Sequence, residues 1–157
     1  MKLGATGEAT LARQRSHKLF NAEQANQIIP KLEILVRELQ VQANALRERV
    51  RELSRHDDRL SGLELPDVLE RYPELAPLAE HMSELAAEIG SMGCLLKDID
   101  LGLVDFPFQL DEVGADEDGI GFLCWQFGEP RIVAWHPIDG GFASRRPLPG
   151  ASKVYLN

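Results

Sequence analysis

Apolar residues recur at Leu32, Leu35, Leu39, Ala43, Leu46, Val50 and Leu53 in steps of three and four. That spacing puts them on one face of a helix and leaves the charged positions on the others. Two consecutive steps of four, Leu35 to Leu39 to Ala43, make the stripe drift instead of holding a single coiled-coil seam. The start is marked by Asn21-Ala-Glu-Gln24, in which Asn21 can cap and Gln24 can reach back to it. Pro30 stands too far in for a first-turn proline, so the pattern predicts a short opening helix, a break or kink, and a main helix from Pro30. A second stripe, Leu75, Leu78, Met82, Leu85 and Ile89, predicts a helix from about Pro73 that ends at Gly90 and Gly93. Between them, His56-Asp57-Asp58 and Ser61-Gly62 break the periodicity and read as a solvated connector. Leu63, Leu65, Leu69 and Tyr72 form a short turn or helix before Pro73. Two helices so joined are expected to pack as a long antiparallel hairpin. A helix of about thirty residues is about 45 Å long. That is more than a small β unit covers, so part of the stripe is expected to meet a second copy, giving a homodimer.

At Gly93 the period changes. The stretch Gly93–Pro107 ends the helical pattern. Ile120–Gln126 and Arg131–His136, rich in β-branched and aromatic residues, flank Phe127-Gly-Glu-Pro130 as a hairpin. Phe122 and Cys124 fall on one face of it, Leu123 and Trp125 on the other, so both faces are expected to be covered. The helices are one cover; Leu101–Phe106 or a second subunit is the other. The fold class is therefore α+β, a long antiparallel helical hairpin followed by a small antiparallel β unit. A single domain over 20–157 (20–93 helical, 94–157 β unit and tail) follows a basic arm, 1–19.

Charge and cysteine content narrow the function classes. A formal charge of −8 disfavours nucleic acid or an anionic membrane as the main partner. Lys2, Arg13, Arg15 and Lys18 make the arm locally basic, and it reads as a solvated tail. Cys94 and Cys124 lie in apolar settings without a Cys-x-x-Cys pair and read as inert buried thiols. No apolar run approaches the roughly 18 residues of a membrane span, and no signal-peptide core is present, so a cytoplasmic protein is expected.

The candidate chemistry is an acid cluster near a histidine. On a strand, Asp98 and Asp100 would share a face, and with His136 opposite they could hold a divalent metal ion and activate a water. His136 or one of these carboxylates would then be the catalytic group. Asp105, Glu129, Asp139, Arg145 and Arg146 complete the candidate binding set. The alternative, preferred here, has Arg145, Arg146 and Lys97 neutralising the acids while His136 hydrogen-bonds backbone at a strand end. Asp111–Gly119 lacks the ligand spacing and terminal glutamate of a calcium loop. No phosphate-binding glycine loop, nucleophile elbow or di-iron helix pattern is present.

The runs Phe20–Pro30, Lys97–Pro107, Leu123–Pro130, Trp135-His136 and Gly141–Pro147 together resemble a bacterial family numbered 2203 among domains of unknown function. The resemblance implies a helical hairpin with a β appendage and no established activity; Arg55–Tyr72 departs most from the family pattern. The expected function is a non-enzymatic interaction or structural module with no committed cofactor, able to take a protein partner through Lys97–Arg146. A metal-dependent hydrolase or ligand-binding protein is the alternative.

Overall fold

A computed structural model describes residues 18–113 and 119–149 and lays a helical layer against one face of a five-stranded antiparallel sheet. The basic arm up to residue 17, the acidic loop 114–118 and the tail from 150 lie outside the described residues. Helix α1 runs Ala22–Ser54 without interruption. Its start is the reciprocal cap expected from sequence: Asn21 Oδ1 accepts from Gln24 N–H at 2.8 Å, and Gln24 Oε1 accepts from Asn21 N–H at 3.1 Å. Pro30 does not divide the helix. It points outward, so its missing N–H and its ring disturb no packed layer, while Ile29 and Leu32 on either side are anchored in the core.

The second helix is shorter than the expected hairpin requires. After α1 the chain passes a 3-10 turn (Asp58–Leu60), α2 (Leu65–Arg71) and a second 3-10 turn (Pro73–Leu75) before α3 (Ala76–Ser91, 16 residues). The contacts Lys31–Glu88 at 3.0 Å and Glu38–His81 at 3.5 Å run in opposite senses along the two helices, so α3 lies antiparallel along the middle of α1 and leaves its C-terminal turns to the connector. The connector is also not simply solvated. Asp57 is buried, because Arg59, Arg71 and the Tyr72 hydroxyl all donate to its carboxylate and close the turn.

The sheet is a meander, β1 (Leu95–Asp98), β2 (Leu103–Gln109), β3 (Ile120–Gln126), β4 (Ala134–Pro137) and β5 (Arg146–Pro147), with spatial order equal to chain order. Alternation sorts its side chains. Val104, Phe106 and Phe108 of β2, Leu123 and Trp125 of β3, and Trp135 of β4 join Leu32, Val36, Leu39 and Leu46 of α1 in one core. Phe20 packs edge-on to Phe106, and its N–H donates to Pro107 O at 2.8 Å. Polar links pin α1 across the sheet: Asn26 Oδ1 accepts from Ile132 N–H at 2.7 Å, and Gln40 donates to Ile99 O at 3.0 Å. Gly102, with φ +64°, makes the β1–β2 turn under α1; a Cβ there would stand 2.4 Å from Phe127 Cβ. Within one chain the stripe is therefore buried from Leu32 to Leu46, with Val50 and Leu53 packed partly against it.

The opposite, outer face carries Leu103, Asp105, Phe122, Cys124, Ala134 and His136, all buried. Leu101–Phe106 does not cover it as expected, because Leu103–Gln109 is a strand paired in the plane of the sheet with β3. Among the described residues, the segment 138–142 lies over this face instead. No helix among the described residues is long and apolar enough to cross a membrane.

Trp125 is fully buried, and its indole N–H donates to Glu129 O at 2.8 Å. Trp125→Ala is expected to cost about 3–5 kcal/mol. Replacing Glu48 or Arg51, which pair in solvent, should move stability by less than about 1 kcal/mol. Urea-denaturation midpoints compare the two directly.

Candidate functional site

Strand register decides which polar groups meet. Asp105 of β2 stands opposite Cys124 of β3, and His136 of β4 stands opposite Phe122, one outer-face position along β3 from Cys124. Three neighbouring strands thus deliver a carboxylate, a thiol and an imidazole to one place. Their ligand atoms lie within 4.8 Å of one another, and all three residues are buried. His136 Nε2 is 3.1 Å from Asp105 Oδ2, and Nδ1 is 2.8 Å from Pro137 O. A carbonyl can only accept, so Nδ1 carries a proton.

The environment sets the charge of the pair. Burial pushes the His136 imidazole toward its neutral form, and Lys97 acts the same way. The Asp105 hydrogen bond, the bond to Pro137 O and the Asp105 charge together outweigh them and raise it above its ordinary value. Burial, reinforced by the nearby Asp105 charge, pushes the Cys124 thiol up to about 12. Cys94, buried elsewhere with Sγ against Ile89 O, is likewise pushed to about 12.

A cavity of about 270 Å³ opens beside the trio, lined also by Lys97, Leu103, Phe122 and the segment 138–142. Ile138 and Phe142 at its rim are 58% and 40% exposed. An apolar rim over a few convergent polar groups is the usual form of a small-ligand site. Thiol, imidazole and carboxylate are also the donor types of a divalent transition-metal site.

The acids read as metal ligands from sequence are elsewhere. Asp98 ends β1 and accepts from Leu101 N–H at 2.8 Å, capping the turn. Asp100 is already in that turn and pairs with Arg47 of α1 at 2.7 Å. The strand expected to align them stops at Asp98, so neither joins His136. Arginines do neutralise two of these acids: Glu129 takes Arg145, one of the expected partners, whereas Asp100 takes Arg47 of α1. Arg145 pairs with Glu129 at 2.7 Å and donates to Cys124 O at 3.3 Å, while Arg146 lies 5.0 Å over the Trp135 ring. Glu129 also accepts from Gln126 N–H and so fastens the β3–β4 loop. Asp139 lines the cavity but is exposed. His136 does bond backbone at its strand end, as anticipated. Cys124 is the member that sequence reasoning set aside; its only signal was its place on the same hairpin face as Phe122.

Comparison with known proteins adds a family. A model described as an uncharacterized conserved protein family, DUF2203, matches residues 18–148, so the chain belongs to that family. No curated protein and no solved structure matches it significantly.

Because the folded-state value of His136 is raised, its protonation contributes stability below about pH 6.5, the ordinary histidine value, and that contribution fades as pH rises through the folded value. In chelator-treated protein, the His136 ring resonances should titrate above that value. Asp105→Asn, which removes the favourable partner and leaves the burial, should bring the titration down. A wild-type midpoint below the ordinary value contradicts the paired arrangement.

Proposed function

We propose that this DUF2203 member is a non-enzymatic binding module whose recognition surface is the outer face of the sheet, within Lys97–Arg146. The helical layer, with α3 folded back along the middle of α1 as an unequal hairpin, serves as its scaffold. The observation that carries this reading is the cavity of about 270 Å³ floored by Asp105, Cys124 and His136 and rimmed by exposed Ile138 and Phe142. Buried polar groups in an otherwise apolar face lower stability unless they are fully partnered, and an apolar trio of similar size would pack at least as well. Asp105 and His136 are partnered to each other and to Pro137 O, and Cys124 brings a third donor type to the same cavity floor; a ligand that uses all three accounts for their meeting there.

The other acidic groups support the same reading. Asp100 and Glu129 are each engaged by an arginine, and so hold the scaffold in place instead of lining the cavity. A homodimer enters this reading through one feature of α1. Ile34 and Val41, seven residues apart on one face, are 68% and 53% exposed. They are the large apolar groups of that helix left for a second copy.

A fragment library followed by amide chemical shifts tests the surface. Hits should perturb Leu103, Phe122 and the segment 138–142, and Ile138→Ala with Phe142→Ala should weaken them about tenfold or more. Hits confined to α1, or none, contradict the assignment. Light scattering tests the dimer separately: a two-chain mass reduced to one chain by Ile34→Asp with Val41→Asp is expected, and a one-chain mass for the unaltered protein removes it.

A further inference from the structure

The three groups on the cavity floor differ in chemistry in a way that a structural ion pair does not require. An Asp–His pair alone satisfies both of its members, yet β3 adds a thiol directly across from the aspartate. Among the described residues, Asp105, Cys124 and His136 are the group of three ligand-type side chains close enough to share one ion. We propose that they form a mononuclear site for a zinc-class divalent cation, held by Cys124 Sγ, His136 Nε2 and an Asp105 oxygen. This rests on the outer-face reading above and names the ligand that face takes.

Geometry fits the assignment. Donors around a tetrahedral zinc, at about 2.0–2.3 Å from the metal, lie roughly 3.3–3.8 Å apart. The three atoms already fall within 4.8 Å, so a shift of about 1 Å, within reach of small side-chain rotations, closes the shell. The shell beyond the ligands is also arranged for it. Nδ1–H of His136 is engaged by Pro137 O at 2.8 Å, which leaves Nε2 as the nitrogen that turns toward Asp105 and Cys124. Fixing the far ring nitrogen on a backbone carbonyl is how metal-bound histidines are commonly oriented. Arg145, donating to Cys124 O and pinned by Glu129, steadies the β3 backbone that carries the thiol.

Binding exchanges protons for metal. The cation takes the place of the Cys124 Sγ proton, which passes to solvent together with any proton carried by His136 Nε2, and no electrons move. With an Asp105 carboxylate, a Cys124 thiolate and a neutral His136 as ligands, the charge of a divalent ion is balanced. Three protein ligands leave a fourth position, and the cavity bordered by Lys97, Phe122 and Phe142 is the side from which it is reached. The acids of the β1–β2 turn take no part, since Asp98 caps a backbone N–H and Asp100 is paired with Arg47.

Cobalt(II) titration of the chelator-treated full chain tests the site, because a tetrahedral thiolate complex shows both visible ligand-field bands and a near-ultraviolet sulfur-to-metal band. One cobalt per chain with both features, displaced by zinc, is expected. Cys124→Ser should abolish the sulfur band, and His136→Gln should weaken binding at least about tenfold. Asp98→Asn with Asp100→Asn should leave the spectrum unchanged. Circular dichroism identifies any variant that fails to fold, and the unaltered protein alone decides the stoichiometry. A folded protein that takes up no cobalt but still binds fragments at Phe122 and segment 138–142 overturns the metal centre and leaves the binding surface standing. One that takes up neither overturns both, and a sulfur band that survives Cys124→Ser overturns the ligand set.

Discussion

The register of β2 against β3 is the constraint on which the rest depends. With Asp105 opposite Cys124, alternation sends Val104, Phe106 and Phe108 to the helices and Asp105 to the other face. A slip of one residue would reverse this, driving the aspartate into the helical core and two phenylalanines out of it. That error is costly on both sides, so the sheet has one acceptable pairing. The β1–β2 turn at Gly102 and the Glu129 bonds to Gln126 N–H and from Trp125 Nε1 hold the Gln126 end of β3 in that pairing, and the Leu110 N–H bond to Gly119 O at 3.0 Å holds the other end.

The two faces of the sheet divide the energetics. The inner face buries Trp125, Phe106, Phe108 and Leu123 with α1, and each such side chain contributes roughly 1.5–3 kcal/mol. The outer face spends part of that stability on a buried carboxyl–imidazole pair taken out of water. A sheet covered by helices on one side can carry such a cost on the other. The short segment over the outer face leaves a cavity where a packed helix would have filled it.

Residues separate what was legible in the sequence from what was not. The helix start at Asn21, the α1 stripe and the β3 strand follow from local rules, and the structure has them where the spacing put them. Pro30 does not end the helix, because the one i→i−4 bond it forgoes is outweighed by the burial of Ile29 and Leu32 beside it, and that burial is a tertiary fact. Asp57 misled for a related reason: its partners Arg71 and Tyr72 come from beyond the turn it closes. The acids were recognised but wrongly grouped. Asp98 and Asp100 are near each other in sequence, whereas Asp105, Cys124 and His136 meet only through cross-strand register, which periodicity along one strand does not reveal. Membership in an uncharacterized family supplies no site residues, so the grouping rests on geometry.

The most direct test of that grouping is the set of through-space proton contacts of the His136 ring in solution. The account predicts contacts to the Cys124 β-protons and the Phe122 ring, across β3 on the outer face. Contacts instead to Trp125, Phe106 or the side chains of α1 would place the imidazole on the inner face and contradict it.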